Sequence, residues 1–160
     1  MNKTAVYRLM LEKLEIDLDV LQRAAQTAYE AATHEENVAE NKYDTLGLEA
    51  SYLATGQARR VEEIRQALKN CQAMTLAPLS AAQGIQVGAL IHLEAENGSE
   101  QWLFLAPDAA GLKLNLDGEA VTVITARSPL GAALLGKQHD DEVLINVGAM
   151  AQRFTIDEVI

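Results

Sequence analysis

The chain has 160 residues, 13 Lys and Arg against 23 Asp and Glu, a formal charge of −10 and one cysteine. That length suffices for one or two small domains, and 49% hydrophobic residues mark the chain as globular rather than disordered. The lone thiol, Cys71, excludes an internal disulfide framework and a cysteine-based zinc site, and the acidity argues against direct binding to a nucleic-acid backbone, which asks for a basic face.

The first twenty residues, MNKTAVYRLMLEKLEIDLDV, mix charge into their apolar positions throughout, so no signal peptide is expected. No stretch approaches the ~18 apolar residues needed to cross a bilayer. A soluble cytoplasmic protein, without membrane contact, is the expectation. Residues 1–80 hold nine basic and twelve acidic groups, whereas residues 81–160 hold four and eleven. This thinning of Lys and Arg is a first sign of two domains, with a boundary between residues 76 and 80.

In chain order, the first element is a helix. Leu11, Leu14, Leu18, Leu21, Ala25, Ala28 and Ala32 recur at alternating spacings of three and four, a heptad seam that tapers from leucine to alanine. A polar break follows at 33–37. A second helix then runs to about residue 74, with Ala50, Ala54, Gln57, Val61, Ile64, Leu68 and Cys71 on its seam. Its taper is reversed, small residues first, so the two seams match in an antiparallel coiled-coil hairpin over residues 1–76. Each arm would be about 45 Å long at 1.5 Å per residue.

After Ala77-Pro78 the period changes. Strands are expected at Val87–Leu93, Glu100–Leu105, Val121–Thr125, Glu142–Val147 and Gln152–Ile160, with turns at Asn97-Gly98 and Asp117-Gly118. One short helix interrupts them. Ser128 is a good N-cap, Pro129 suits the first helical position, and Gly136 can close the end after Leu134-Leu135. The fold class is therefore α+β: a helical hairpin, then a small antiparallel sheet over residues 80–160 with one helix.

The segment Ser128-Pro129-Leu130-Gly131-Ala132-Ala133-Leu134-Leu135-Gly136-Lys137 closely resembles the S-P-[IL]-x-x-x-L-[IL]-G-K motif of the bacterial Gre-type transcription elongation factors. Asp140-Asp141-Glu142-Val143 continues the likeness. The layout is similar too, because those factors join an N-terminal antiparallel coiled coil to a small FKBP-like domain. The resemblance implies a protein that docks on RNA polymerase at the rim of its secondary channel, through Arg127, Ser128, Pro129 and Leu130. It also implies a coiled coil that reaches toward the active centre, and contact with nucleic acid only through the polymerase. The chain would be no enzyme itself and would have no cofactor of its own. A monomer is expected, since the hairpin is intramolecular.

In cleavage-stimulating members of that family, two acidic tip residues help hold a catalytic Mg2+ ion, so that the polymerase hydrolyses backtracked RNA. Mg2+ is a hard cation suited to carboxylates, waters and phosphate oxygens. The family tip reads roughly G-D-L-K-E-N-A-E-Y; here the stretch is Glu36-Asn37-Val38-Ala39-Glu40-Asn41-Lys42-Tyr43. Glu40 falls on the second acid and neutral Asn37 on the first. Glu36, one place earlier and four from Glu40, is the available substitute, so Glu36 and Glu40 are the candidate ligands of an ion shared with the polymerase. An acidic helix tip is also what plain solvation produces. Two functional readings follow, cleavage stimulation and channel occupation without cleavage, the second favoured by Asn37. Arg127 is another departure, because family members commonly carry Asp or Asn before Ser-Pro.

Outside these segments the chemistry is sparse. His34, His92 and His139 are scattered without metal-ligand spacing, and no nucleotide-binding glycine motif or nucleophile elbow is present. Trp102 and Phe104 are expected in or near the core, and Arg59-Arg60 on a solvent face. A prolyl isomerase is disfavoured by the 4% aromatic content. A coiled-coil adaptor without a polymerase link, pairing residues 11–71 between chains, stays open as an alternative.

Overall fold

Asn2 opens the first helix by capping it: its side-chain oxygen accepts the Ala5 N–H at 3.0 Å, and its carbonyl accepts the Val6 N–H. In the computed structural model, which describes residues 1–34 and 45–160, helix α1 spans Lys3–Thr33 and helix α2 spans Leu46–Ala73. Glu49 N–H bonds the Thr45 carbonyl at the start of α2. The C-terminal ends of both helices, Thr33 and Ala73, fall within a residue of where the sequence places them.

The chain forms two compact units, Lys13–Leu68 and a larger one that joins Met1–Glu12 to Lys69–Ile160. In the helical unit, the described seam positions behave as their heptad spacing requires. Leu14, Ala28 and Val61 are buried, and Leu18, Leu21, Ala25, Ala32, Ala50, Ala54, Gln57, Ile64 and Leu68 are half-buried. Ala25 and Tyr29 of α1 share a groove with Ala54 and Ala58 of α2, where both seams have narrowed to alanine. Lys13–Asp17 and Asp19–Arg23 ion pairs decorate the outer faces at i, i+4 spacing, each worth a few tenths of a kcal/mol. Arg59 and Arg60 are exposed, as expected.

The larger unit is built on a six-stranded sheet: β1 Leu90–Ala95, β2 Glu100–Leu105, β3 Lys113–Leu116, β4 Glu119–Ile124, β5 Glu142–Val147 and β6 Met150–Val159, in the order β3-β4-β2-β1-β6-β5. Helix α3, Pro129–Leu134, connects β4 to β5. The sheet departs from the expected antiparallel one in a single pairing. Strand β4 runs parallel to β2, Trp102 opposite Val121, because the short β3 lies outermost and the β3–β4 hairpin turns back between it and β2. Strand β3 is an element additional to the five expected strands. Its four residues alternate Lys113-Leu114-Asn115-Leu116, too briefly to stand out, and as an edge strand it needs a partner on one side only. Strand β1 starts at Leu90 rather than Val87.

Period-two alternation divides the side chains between two faces. On one face Ile91, Leu93, Leu103, Leu105, Val143, Phe154 and Ile156 form a core with Ile85, Ala89 and Leu134 of α3. On the other, Leu90, Phe104, Val121 and Val123 are fully buried. Val6, Met10 and Cys71, in the helical stretches that belong to this unit, are also fully buried. The central strands are thus covered on both sides, and β3 and β5 form the edges.

Candidate functional site

The segment from Thr125 to Asp141 runs as a turn, a short helix and a second turn between β4 and β5, and backbone hydrogen bonds tie it to its neighbours. Strand β4 ends at Ile124, and the Thr125 carbonyl accepts both the Ser128 N–H (3.0 Å) and the Ser128 hydroxyl (2.8 Å). The same hydroxyl oxygen accepts the Gly131 N–H at 3.1 Å, which makes Ser128 a complete N-cap, extended at φ −77° and ψ 151°. Pro129 occupies the first turn, where its missing N–H costs nothing.

Gly131 is required by space rather than by its dihedral angles. A Cβ there would lie 2.0 Å from the Thr125 carbonyl oxygen and 2.9 Å from Ser128 Oγ. The helix can therefore start hard against the end of β4 only with glycine at this position. Leu134 is fully buried, and Leu130 and Ala133 pack against the same core cluster.

Beyond the helix, Gly136 N–H bonds the Ile85 carbonyl, and Ile85 N–H bonds the Lys137 carbonyl, both at 2.8 Å. Gly84, at φ +65°, allows this approach, since a Cβ on it would stand 2.4 Å from the Gly136 oxygen. Asp141 accepts the Gln138 N–H at 2.8 Å, and its carbonyl accepts the Ile156 N–H at 2.9 Å, joining the turn to β6. Gly136 and Lys137 thus serve the architecture, as their position at a helix end implies.

What this segment leaves for a partner is short. Arg127, Pro129, Ala132 and Leu135 are exposed, whereas Ser128 is spent on the cap and Leu130 on the core. Pro129 and Ala132, three apart, lie on one side of α3, and Leu135 follows as its C-cap. Ala132 and Leu135 lie within the Arg127–Lys137 stretch that the resemblance points to, beyond the four contact residues it names. The Arg127 guanidinium lies 3.7 Å from Asp108 Oδ1. Asp108 lies on the loop between β2 and β3, and nothing in its local sequence marks it.

The tip residues Glu36, Asn37, Glu40, Lys42 and Tyr43 lie outside the described residues. Among the described residues no group of three or more His, Cys, Asp or Glu side chains could hold a metal ion. His92 is instead a strand residue with defined neighbours. Its Nδ1 is 2.8 Å from Asp157 Oδ2, its ring lies 4.6 Å from that of Trp102, and Glu100 is 3.7 Å from Nε2. Cys71 is buried, which pushes its thiol up to about 11. No described helix is long and apolar enough to cross a membrane.

The sequence likeness shows what this chain resembles. The chain is 28% identical over 155 residues to the transcription elongation factor GreA of Halorhodospira halophila, covering 92% of this chain and 91% of that protein. The chain resembles the Gre-type elongation factors over nearly its whole length. No family model matches it. Among solved structures, GreA factor homolog 1 (Gfh1) of Thermus thermophilus is similar at 17% identity and a TM-score of 0.38, covering 94% of each chain. The GreA/GreB factor of Nitrosomonas europaea is similar at 18% identity and a TM-score of 0.37, covering 70% of this chain and 91% of that one. The Gre-type likeness thus rests on the sequence, and it spans both the seams of α1 and α2 and the Ser128–Lys137 segment.

Proposed function

We propose that this chain is an RNA-polymerase-associated transcription elongation factor that acts through the secondary channel of the enzyme. The observation that carries the reading is the likeness to a GreA factor along 92% of the chain. In support, the Ser-Pro segment is a capped helix start that offers Arg127, Pro129 and Leu135 to a partner. In this reading the sheet unit docks through that surface, and the α1–α2 hairpin carries the 35–44 tip to the active centre. The chain contributes contacts and carboxylates, while the bond-breaking chemistry belongs to the polymerase.

Glu36 and Glu40 are hard oxygen donors, suited by charge to a Mg2+ ion that the polymerase also holds. When bound, that ion would polarise water and phosphate oxygens. The role of this chain would be to supply one or two carboxylates and to exclude competing solvent. Asn37, neutral where a second acid is expected, favours a member that occupies the channel and stimulates cleavage weakly or not at all.

The test is to mix the purified protein with backtracked elongation complexes and to measure RNA cleavage beside binding. Cleavage lost in Glu40→Ala would establish cleavage stimulation with Glu40 as a ligand. Binding without cleavage would establish a channel-occupying regulator. Absence of binding would refute the proposal and return the adaptor alternative to the front.

A further inference from the structure

Arg127 is a cation in an acidic setting, one of four Lys and Arg residues among eleven acids in residues 81–160. Two of the other three are engaged elsewhere: Lys113 donates to Thr122 Oγ1 at 2.8 Å, and Arg153 bridges Glu96 and Glu142. The side chain of Arg127 is 77% exposed, yet its Nη2 lies 3.7 Å from Oδ1 of Asp108, which is only 28% exposed.

Asp108 is itself held on both oxygens. Its Oδ2 accepts from Asn70 Nδ2 at 2.9 Å, near the end of α2, and its Oδ1 accepts the N–H of Ala109 at 2.8 Å. Its carbonyl lies 4.0 Å from Cys71 Sγ. Ala109 stands at φ 65°, a left-handed conformation that the Asp108 side chain secures by bonding its N–H. The carboxylate is thus a fixed point, tied to α2 and to its own loop, and the flexible arginine leans on it.

A free arginine side chain loses rotamer freedom when it docks, and that ordering weakens binding. A fixed carboxylate beside it removes part of the cost in advance. The planar guanidinium has five N–H donors, so one edge can rest on Asp108 while the rest faces outward.

We propose that Asp108, fixed by Asn70 and the Ala109 N–H, is a positioning residue that holds Arg127 beside Pro129 for contact with an acidic surface patch of RNA polymerase. The proposal rests on the polymerase-docking reading above and adds to it the charge of the partner's surface and the residue that orients the contact. Charge complementarity supplies the choice of partner surface. A chain of net charge −10 is repelled by an acidic surface in general, so a single oriented cation confers attraction at one place and discrimination elsewhere.

The experiment is a double-mutant cycle on binding of the full-length chain to RNA polymerase, read by competition fluorescence anisotropy at low salt, with each variant's melting temperature recorded. Arg127→Ala is expected to weaken binding about tenfold, as for a lost charge-assisted hydrogen bond. Asp108→Asn is expected to weaken it about three- to fivefold, as for an exposed ion pair. In the Arg127→Ala background, Asp108→Asn should cost nothing further, because its effect passes through Arg127. Asn70→Ala, which loosens Asp108 from outside the docking segment, should follow the same pattern and serves if Asp108→Asn fails to fold. An equal loss in both backgrounds would mean a merely structural role and would overturn the proposal, as would no loss in the wild-type background. If the wild-type chain itself does not bind, the docking reading falls and this proposal falls with it. Wild-type binding without coupling overturns this proposal alone.

Discussion

Replacing Gly131 by alanine offers a test in which two physical effects predict opposite signs. In a helix interior, alanine is favoured over glycine by about 1 kcal/mol, so on propensity alone Gly131→Ala would stabilise α3. The structure predicts the reverse. The added Cβ would sit 2.0 Å from the Thr125 carbonyl oxygen and 2.8 Å from its carbonyl carbon, and both belong to backbone that cannot swing aside. Relief requires the helix start to move off β4, which breaks the Ser128 cap at both of its bonds. Overpacking of this kind costs about 1–3 kcal/mol and loss of a cap about 1 kcal/mol. Offset by the propensity gain, the net destabilisation is about 1–3 kcal/mol. In a unit of roughly a hundred residues, that lowers the melting temperature by about 5–15 °C. Thermal melts followed by circular dichroism, beside a polymerase-binding assay, would read both stability and presentation of Arg127 and Pro129. A variant that melts at or above the wild-type temperature and binds equally would refute the steric argument, and with it the view that this glycine sets the start of α3.

Two further predictions follow from single buried groups. Gln57 lies on the seam of α2 with its Oε1 buried and without a hydrogen-bond partner among the described residues. An unsatisfied amide costs about 1–3 kcal/mol, so Gln57→Leu should raise the melting temperature of the helical unit; an unchanged or lowered value would contradict this. Burial pushes the Cys71 thiol from 9.0 to about 11, so the folded chain should react slowly with a thiol reagent at pH 8 and quickly once unfolded. Because the folded state favours the protonated thiol, its contribution to stability is complete below pH 9 and is lost as pH rises through about 11. Cys71→Ser should flatten that alkaline loss, and an equal loss in the variant would assign it to other groups.

The parts legible in the sequence are those governed by local rules. The heptad seams fixed both helices, because a stripe repeated every 3.5 residues must be buried somewhere, and every described seam position is buried or half-buried. Ser128, Pro129 and Gly136 marked the ends of α3, since capping chemistry acts within four residues. Strand β3 was illegible because Lys113–Leu116 has too few residues for a period. The parallel pairing of β2 with β4 was hidden for another reason: it depends on where β3 goes, and alternation within a strand says nothing about its neighbour's direction. Asp108 illustrates the same limit for the candidate site. Its importance comes from Asn70 and Arg127, 38 residues before it and 19 after, and only the fold brings them together. That Arg127 and Pro129 are exposed while Ser128 is spent on the cap and Leu130 packs on the core likewise comes from packing rather than motif.

The central claim is that this chain docks on RNA polymerase and carries its tip to the active centre. The direct measurement places a hydroxyl-radical-generating iron chelate on the tip through Asn37→Cys, the native thiol of Cys71 being buried and protonated. The labelled protein is bound to polymerase and the cut sites in the large subunits are mapped. Cuts confined to the segments around the catalytic magnesium and the wall of the secondary channel, suppressed by excess unlabelled protein, are the expected result. Cuts scattered over the outer surface, or none in a complex shown to form, would contradict it.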